Sequence, residues 1–228
     1  MQLTSEDIAS IWLSLKVAVT ATALSLPIGF ATAWLIVFKK FRLKVLLEVL
    51  INLPLTLPPV VIGYFLLLLL GKQGWLGKLL AELHIHLLFT WKAAVIASVV
   101  VGFPLLVRSI RLGMESIDQQ MLEASQTLGA SWFDSLLTII VPLSMKGILA
   151  GASLMFARSL GEFGATIIAA GNIPGKTQTI PLAIYDYASS PSSTPMALSL
   201  CLISVIISVF VLLLHELLSK KIDRSNGL

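Results

Sequence analysis

Two charged side chains stand four residues apart in a stretch where charge is costly. In "FARSLGEFGATI", Phe156–Ile167, Arg158 and Glu162 share one helical face of an otherwise apolar run, the spacing at which a guanidinium and a carboxylate pair. Either charge alone at membrane depth is expensive, so such groups face a cavity or the bundle interior. Two chemistries fit the pair. It can be a structural lock within a bundle, or it can stand at a conduction path or gate, where a proton-linked switch is one form. Gly161 and Gly164 beside it permit close helix approach or local unwinding. A second polar island is "LEASQTLGASWFDSLLTIIVP", Leu122–Pro142, with Glu123, Ser125, Gln126, Thr127, Ser131 and Asp134 between two long apolar segments. It is too polar to cross a bilayer and too regularly apolar for a plain loop.

Two further stretches imitate chemistry without its spacing. "GNIPGKT", Gly171–Thr177, has only three residues between its glycines and Ala170 where a phosphate loop needs glycine, and apolar segments flank it instead of a strand and a helix. It does not read as an ATP site, so the energy for any active process must come from a partner. His84 and His86 lie at i, i+2 but lack the further ligands and supporting shell of a metal centre, and they read as a surface loop. No catalytic Ser/His/Asp set and no cofactor motif stands at membrane depth. No cofactor, metal or nucleic acid is expected.

The elements that must position these residues are membrane helices. The 228-residue chain is 57% hydrophobic and 12% charged, with mean hydropathy +0.93, against roughly 25% charged in a soluble domain. The net charge of +4 is read through its placement in the chain. The single cysteine, Cys201, allows no intrachain disulfide. Glu6 and Asp7 replace the basic start of a signal peptide, so the first apolar stretch is expected to remain as a span. Five stretches reach the roughly 20 residues a span needs: 8–38, 45–70, 91–112, 143–170 and 196–218. They form one transmembrane domain over 8–218, followed by a short tail, 219–228. No internal repeat is evident. Pro54, Pro58 and Pro59 are expected to kink or interrupt the second span. Lys39, Lys40, Arg42, Lys44, Arg108, Arg111, Lys146, Lys220, Lys221 and Arg224 fall on one side. Lys72, Lys78, Lys92 and Lys176 fall on the other. Ten against four places the N-terminus outside and the C-terminus inside, with Leu122–Pro142 in the cytoplasm.

Read locally, that segment is two short helices. Asp118 caps the first, Gly129 supplies the left-handed residue that ends it, Ser131 with Asp134 forms a capping box for the second, and Pro142 opens the fourth span. Met121, Leu128, Trp132 and Leu136 follow helical spacing and are expected against the bundle. Ala124, Ser125, Gly129 and Ala130 form a small-residue face outward. An interfacial helix on headgroups is the alternative, but no Lys or Arg occurs between Ser116 and Met145.

The order Glu123-Ala124-Ser125-x3-Gly129-x9-Ile139-x-Val141-Pro142 resembles the E-A-A-x3-G-x9-I-x-L-P motif of type I ABC importer permeases. It departs at Ser125 and Val141. The stretch around Arg158, Ser159, Glu162, Phe163, Gly164 and Thr166 resembles a signature of molybdate, tungstate and sulfate permease subunits. "LPLTLPPVVIGY" (Leu53–Tyr64) and "NIPGKTQTIPLAIY" (Asn172–Tyr185) resemble the molybdate branch. The resemblance implies an all-α membrane domain of five helices with a cytoplasmic coupling helix at 118–139, docked on an ATPase through Glu123, Ala124, Ser125, Gly129, Ile139 and Pro142. It also implies a second copy of the chain, two ATP-binding subunits, a periplasmic molybdate-binding protein and lipid as partners, in a bacterial inner membrane. Sulfate or thiosulfate transport and proton-coupled secondary transport stand as the alternatives.

Overall fold

Three helices carry the core: α1 (Ser5–Phe38), α5 (Trp91–Glu115) and α9 (Met145–Leu160). They do so because small residues let their backbones meet. A Cβ on Gly147 would lie 2.7 Å from the Ser109 carbonyl oxygen and 2.8 Å from Cα of Gly113, so α5 and α9 touch main chain to main chain. Gly147 and Gly151 form a G-x3-G spacing on α9. Ala18, Ala21 and Ala33 of α1 and Ala93, Ala94 and Ala97 of α5 are fully buried. The computed structural model describes residues 3–190 and 193–225, with side chains to 221. Met1 and Gln2, Pro191 and Ser192, the Arg224 side chain and residues 226–228 of the expected tail lie outside the described residues.

The stretch read as one second span is two helices, α2 (Lys44–Thr56) and α3 (Pro59–Leu70), whose axes turn by 114°. Pro58 and Pro59 cannot donate backbone hydrogen bonds, and Leu57 before them is extended, with ψ 141°, as a residue preceding proline prefers. The stretch read as the fourth span is also divided. Its entry bends by 63° at Ser144, so Pro142 ends the approach to α9 and does not open it. Its exit breaks after Leu160 and resumes as α10 (Gly164–Ala169).

Two helices occupy stretches read as loops. They are α4 (Trp75–Glu82) and α11 (Ile180–Ala188). The second is set by long-range partners: the Ile180 N–H donates to Ser14 Oγ at 2.8 Å and the Tyr187 hydroxyl to Asp7 Oδ1 at 2.9 Å. Asp7 also closes a capping box with Thr4 at the start of α1. The last helix, α12 (Thr194–Ser225), flanks the bundle. Only 11% of its most apolar stretch is buried, against 61% for α5, so α5 is central and α12 faces outward. Helices α1, α5 and α12 are long and apolar enough to cross a membrane, and the two bent pairs pass that test only when each is taken together. The chain is a multi-pass membrane protein.

Candidate functional site

The polar island between α5 and α9 folds as an elbow. Its first arm is α6 (Gln119–Thr127), capped by Asp118, whose Oδ1 accepts the Gln120 N–H at 2.9 Å. The arm ends in a Schellman turn: Gly129 donates to the Gln126 carbonyl and Ala130 to the Ser125 carbonyl, both at 3.0 Å. Gly129 has φ +86°, a conformation costing an L-residue about 1–2 kcal/mol. A Cβ there would meet nothing within 4 Å, so glycine is required by the backbone and leaves open space outside. The second arm starts at α7 (Trp132–Ser135) with a complete capping box: Ser131 Oγ accepts the Asp134 N–H at 3.2 Å and Asp134 Oδ2 accepts the Ser131 N–H at 3.1 Å. The Ser131 hydroxyl, donating at 2.6 Å, holds the Asp134 carboxyl below its ordinary value, helped by the Ser131 N–H. The arm continues through a π turn at Leu136–Ile140 into α8 (Val141–Leu143).

Two contacts fix the elbow. Ser125 Oγ and Ser135 Oγ are 3.0 Å apart and clasp its arms together. The Trp132 ring meets Trp34 of α1 edge to face, with centroids 5.0 Å apart at 69°, tying the elbow to that helix. The expected apolar side is corrected by the structure. Leu122, Leu136, Ile139 and Ile140 pack on the core, whereas Leu128 is 87% exposed, and Met121 and Trp132 are half exposed. The Schellman turn is the reason: it reverses the chain at Gly129, so helical spacing does not carry through from Met121 to Leu136. The outward face holds Glu123, Ala124, Gln126, Leu128 and Gly129, and Ser125 is half-buried. Of the residues expected there, Ile139 instead turns inward, and Pro142 is exposed on α8.

The charged pair lies at the far end of α9. Arg158 Nη1 is 2.7 Å from Glu162 Oε2, with side-chain exposures of 31% and 1%. Among the described residues Glu162 Oε2 receives only this ionic contact, while Oε1 accepts the Ala165 N–H at 2.8 Å. The carboxylate therefore caps α10 and holds Arg158 at once, and the guanidinium end remains partly open. Ser159 Oγ is buried without a partner among the described residues, and Thr166 is buried. The two helix breaks meet here. A Cβ on Gly164 would approach Cβ of Pro59 to 3.0 Å, and one on Gly63 would reach the Ala165 carbonyl oxygen at 2.8 Å. Phe163 packs on Tyr185 of α11, centroids 5.3 Å apart. The residues expected at the path or gate are thus gathered at one broken joint.

Sequence reasoning missed Trp34, Gly63, Tyr185 and the close approach of Gly147 and Gly151 to α5. The G-x3-G spacing was a readable signal for the last. The others depend on which elements pack together. His84 is placed by backbone need: with φ 57° it ends α4 in a second Schellman turn, where His84 donates to Ala81 and Ile85 to Leu80.

Residues 25–224 match the family of binding-protein-dependent transport system inner membrane components. The chain is 50% identical over 222 residues, 97% of each chain, to the molybdenum transport system permease protein ModB of Haemophilus influenzae. It is 45% identical over 221 residues, 96% of each chain, to the same-named protein of Escherichia coli strain K12. Identity to the sulfate transport system permease protein CysW of Synechococcus elongatus is 35% over 217 residues, covering 95% of this chain and 76% of that one. Among solved structures, a bacterial ABC transporter involved in alginate import superposes with TM-score 0.79 at 13% identity, over 96% of this chain and 80% of that one. The MetNI methionine ABC transporter does so with TM-score 0.74 at 13% identity, over 94% and 95%. At that identity the likeness is one of fold.

Proposed function

The chain belongs to the binding-protein-dependent transport system inner membrane components and has the type I permease fold, and from that premise we propose that it forms the membrane path of an ATP-driven molybdate importer. Two copies line one pathway about a two-fold axis, in a bacterial inner membrane, each crossing it five times with the N-terminus outside. Two ATP-binding subunits dock on the two elbows, and a periplasmic binding protein delivers the oxyanion to the external loops. ATP hydrolysis belongs to the docked subunits.

The observation that carries this reading is the elbow. It presents Glu123, Leu128 and Gly129 to the outside, with Leu128 almost wholly uncovered and no basic residue to hold it against lipid headgroups. A protein surface with an apolar recess satisfies that face. Motion imposed on the elbow would pass through Trp132 to Trp34 and α1, and through Leu136 and Ile139 to the core. Molybdate is favoured over sulfate by the higher identity and fuller mutual coverage of the molybdenum permeases. Arg158 is offset by Glu162 and supplies no tight oxyanion site, and the path needs none because the binding protein can carry selectivity. Uptake of labelled molybdate into proteoliposomes containing all three components is the test. The proposal expects uptake that needs ATP, survives a protonophore and is displaced by molybdate better than by sulfate. Uptake that follows a proton gradient without ATP would overturn the mechanism, and preferential accumulation of sulfate would overturn the substrate.

A further inference from the structure

The end of the bundle opposite the elbow carries a second exposed amphipathic helix. Helix α4 lies between α3 and α5 in the chain, and it leaves a large apolar stripe uncovered by its own chain. Gly77 is buried, and a Cβ there would run into the Gly71 carbonyl at the end of α3. The helix is held to its own chain through Gly77, with Leu76 and Leu80 half-buried beside it. Its other large apolar residues point away: Trp75 is 81% exposed, Leu79 58% and Leu83, at the C-cap, 64%. These three recur at i, i+4 and i+8, one continuous stripe. The flank beside the stripe carries Lys78 and Glu82, at i+3 from Trp75 and Leu79, and Lys72 precedes the helix. A surface helix in water turns such an apolar stripe toward the core.

We propose that α4 lies along the membrane–water interface, with Trp75, Leu79 and Leu83 in the acyl boundary and Lys72 and Lys78 among lipid phosphates. The occupant of the stripe is the bilayer itself. Charge supports this choice. The elbow, at the other end, is as exposed but has Glu123 and Asp134 and no Lys or Arg from Ser116 to Met145, whereas α4 has Lys78 beside its apolar stripe and Lys72 just before its start, the arrangement that binds anionic lipid surfaces. The same end of the bundle already has the marks of an interface. Trp12 is 70% exposed on α1, and Lys16 lies 3.9 Å over the Trp91 ring at the start of α5. Tryptophan collects at headgroup level, and lysine reaches from there to water. A membrane-seated α4 would hold the α3–α5 connection, and with it the α3–α10 joint, at fixed depth.

The test uses the full chain in proteoliposomes of phosphatidylethanolamine and phosphatidylglycerol, with Cys201→Ser removing the native thiol. A fluorophore is placed by Leu79→Cys, and in separate samples by Leu213→Cys on the outward face of α12 and by Glu82→Cys. Quenching is read from brominated acyl chains and from aqueous iodide. The proposal expects Leu79→Cys to lose fluorescence to brominated lipid as Leu213→Cys does and to resist iodide, while Glu82→Cys shows the reverse. Loss of emission from Leu79→Cys to iodide alone would overturn it, as would a thiol cross-link between two copies at that position. If Leu213→Cys also fails to sense lipid, the membrane placement of the whole chain fails, a separate outcome. A second arm replaces both lysines, Lys72→Gln with Lys78→Gln. Weaker lipid quenching at Leu79→Cys, recovered when all the lipid is anionic, is expected. No change would remove the phosphate contact from the account.

Discussion

The elbow and the broken joint at Arg158–Glu162 are built by opposite means. The elbow is shaped by its own neighbours in sequence. Asp118, Gly129, Ser131 and Asp134 each satisfy backbone groups within five residues, and most of the surface remains open. The joint is shaped by distant segments: Pro59, Gly63 and Tyr185 converge on residues 163–165, and Glu162 is nearly sealed. A local device can move as a unit without losing its form, whereas a joint locked by tight backbone approach yields only if several helices shift together. That difference suits a handle at one end and a constriction at the other.

The largest effect is expected at the joint. Gly63→Leu would force a side chain into space ending 2.8 Å away at the Ala165 carbonyl. A cost at or above about 1–3 kcal/mol is expected, read as a lower melting temperature in detergent and loss of assembled transporter. Unchanged melting would show that α3 and α10 can separate freely. Next is the ion pair. Arg158→Met strands the sealed Glu162 carboxylate and is expected to cost about 2–3 kcal/mol, less than a fully buried pair because Arg158 is partly exposed. Adding Glu162→Gln, which keeps an acceptor for the Ala165 N–H, should recover much of that loss. Equal melting of single and double variants would mean that water reaches both groups.

At the elbow the effects are smaller in stability and larger in binding. Gly129→Val is expected to cost about 1–2 kcal/mol through its left-handed backbone, while Gly129→Asn, which tolerates that conformation, should fold nearly normally. If both fold yet lose copurification with the ATPase, the open space at Gly129 serves docking. If Gly129→Asn binds normally, the glycine serves only the turn. The smallest effect belongs to Ser131→Ala, about 1 kcal/mol of local helix stability, seen as faster amide exchange over α7. Because Asp134 titrates below its ordinary value of 3.8, its contribution to the box is full above that pH. It is lost as the pH falls through the lowered value, so exchange protection of α7 should be flat across neutral pH.

The same contrast explains what the residues disclosed. Caps and turns are written in neighbouring side chains, so Asp118, Gly129 and the Ser131–Asp134 box could be read directly, as could the i, i+4 pairing of Arg158 with Glu162. Hydropathy marked the long helices α1, α5 and α12. It could not tell a straight span from one turned by 114°, because Pro58 and Pro59 announce a break without its angle. Helix α11 was hidden because its start is secured by Ser14, far away in sequence. Helical periodicity predicts Leu128 inward, but the turn at Gly129 reverses the chain and leaves it outward.

The most direct test of the account places a photo-crosslinking amino acid at Leu128 and illuminates the assembled, transport-competent complex. The adduct should join this chain to the ATP-binding subunit, and its yield should change with nucleotide. A transporter that works while residue 128 is captured only by lipid, or by nothing, would contradict the elbow's role as the motor's handle.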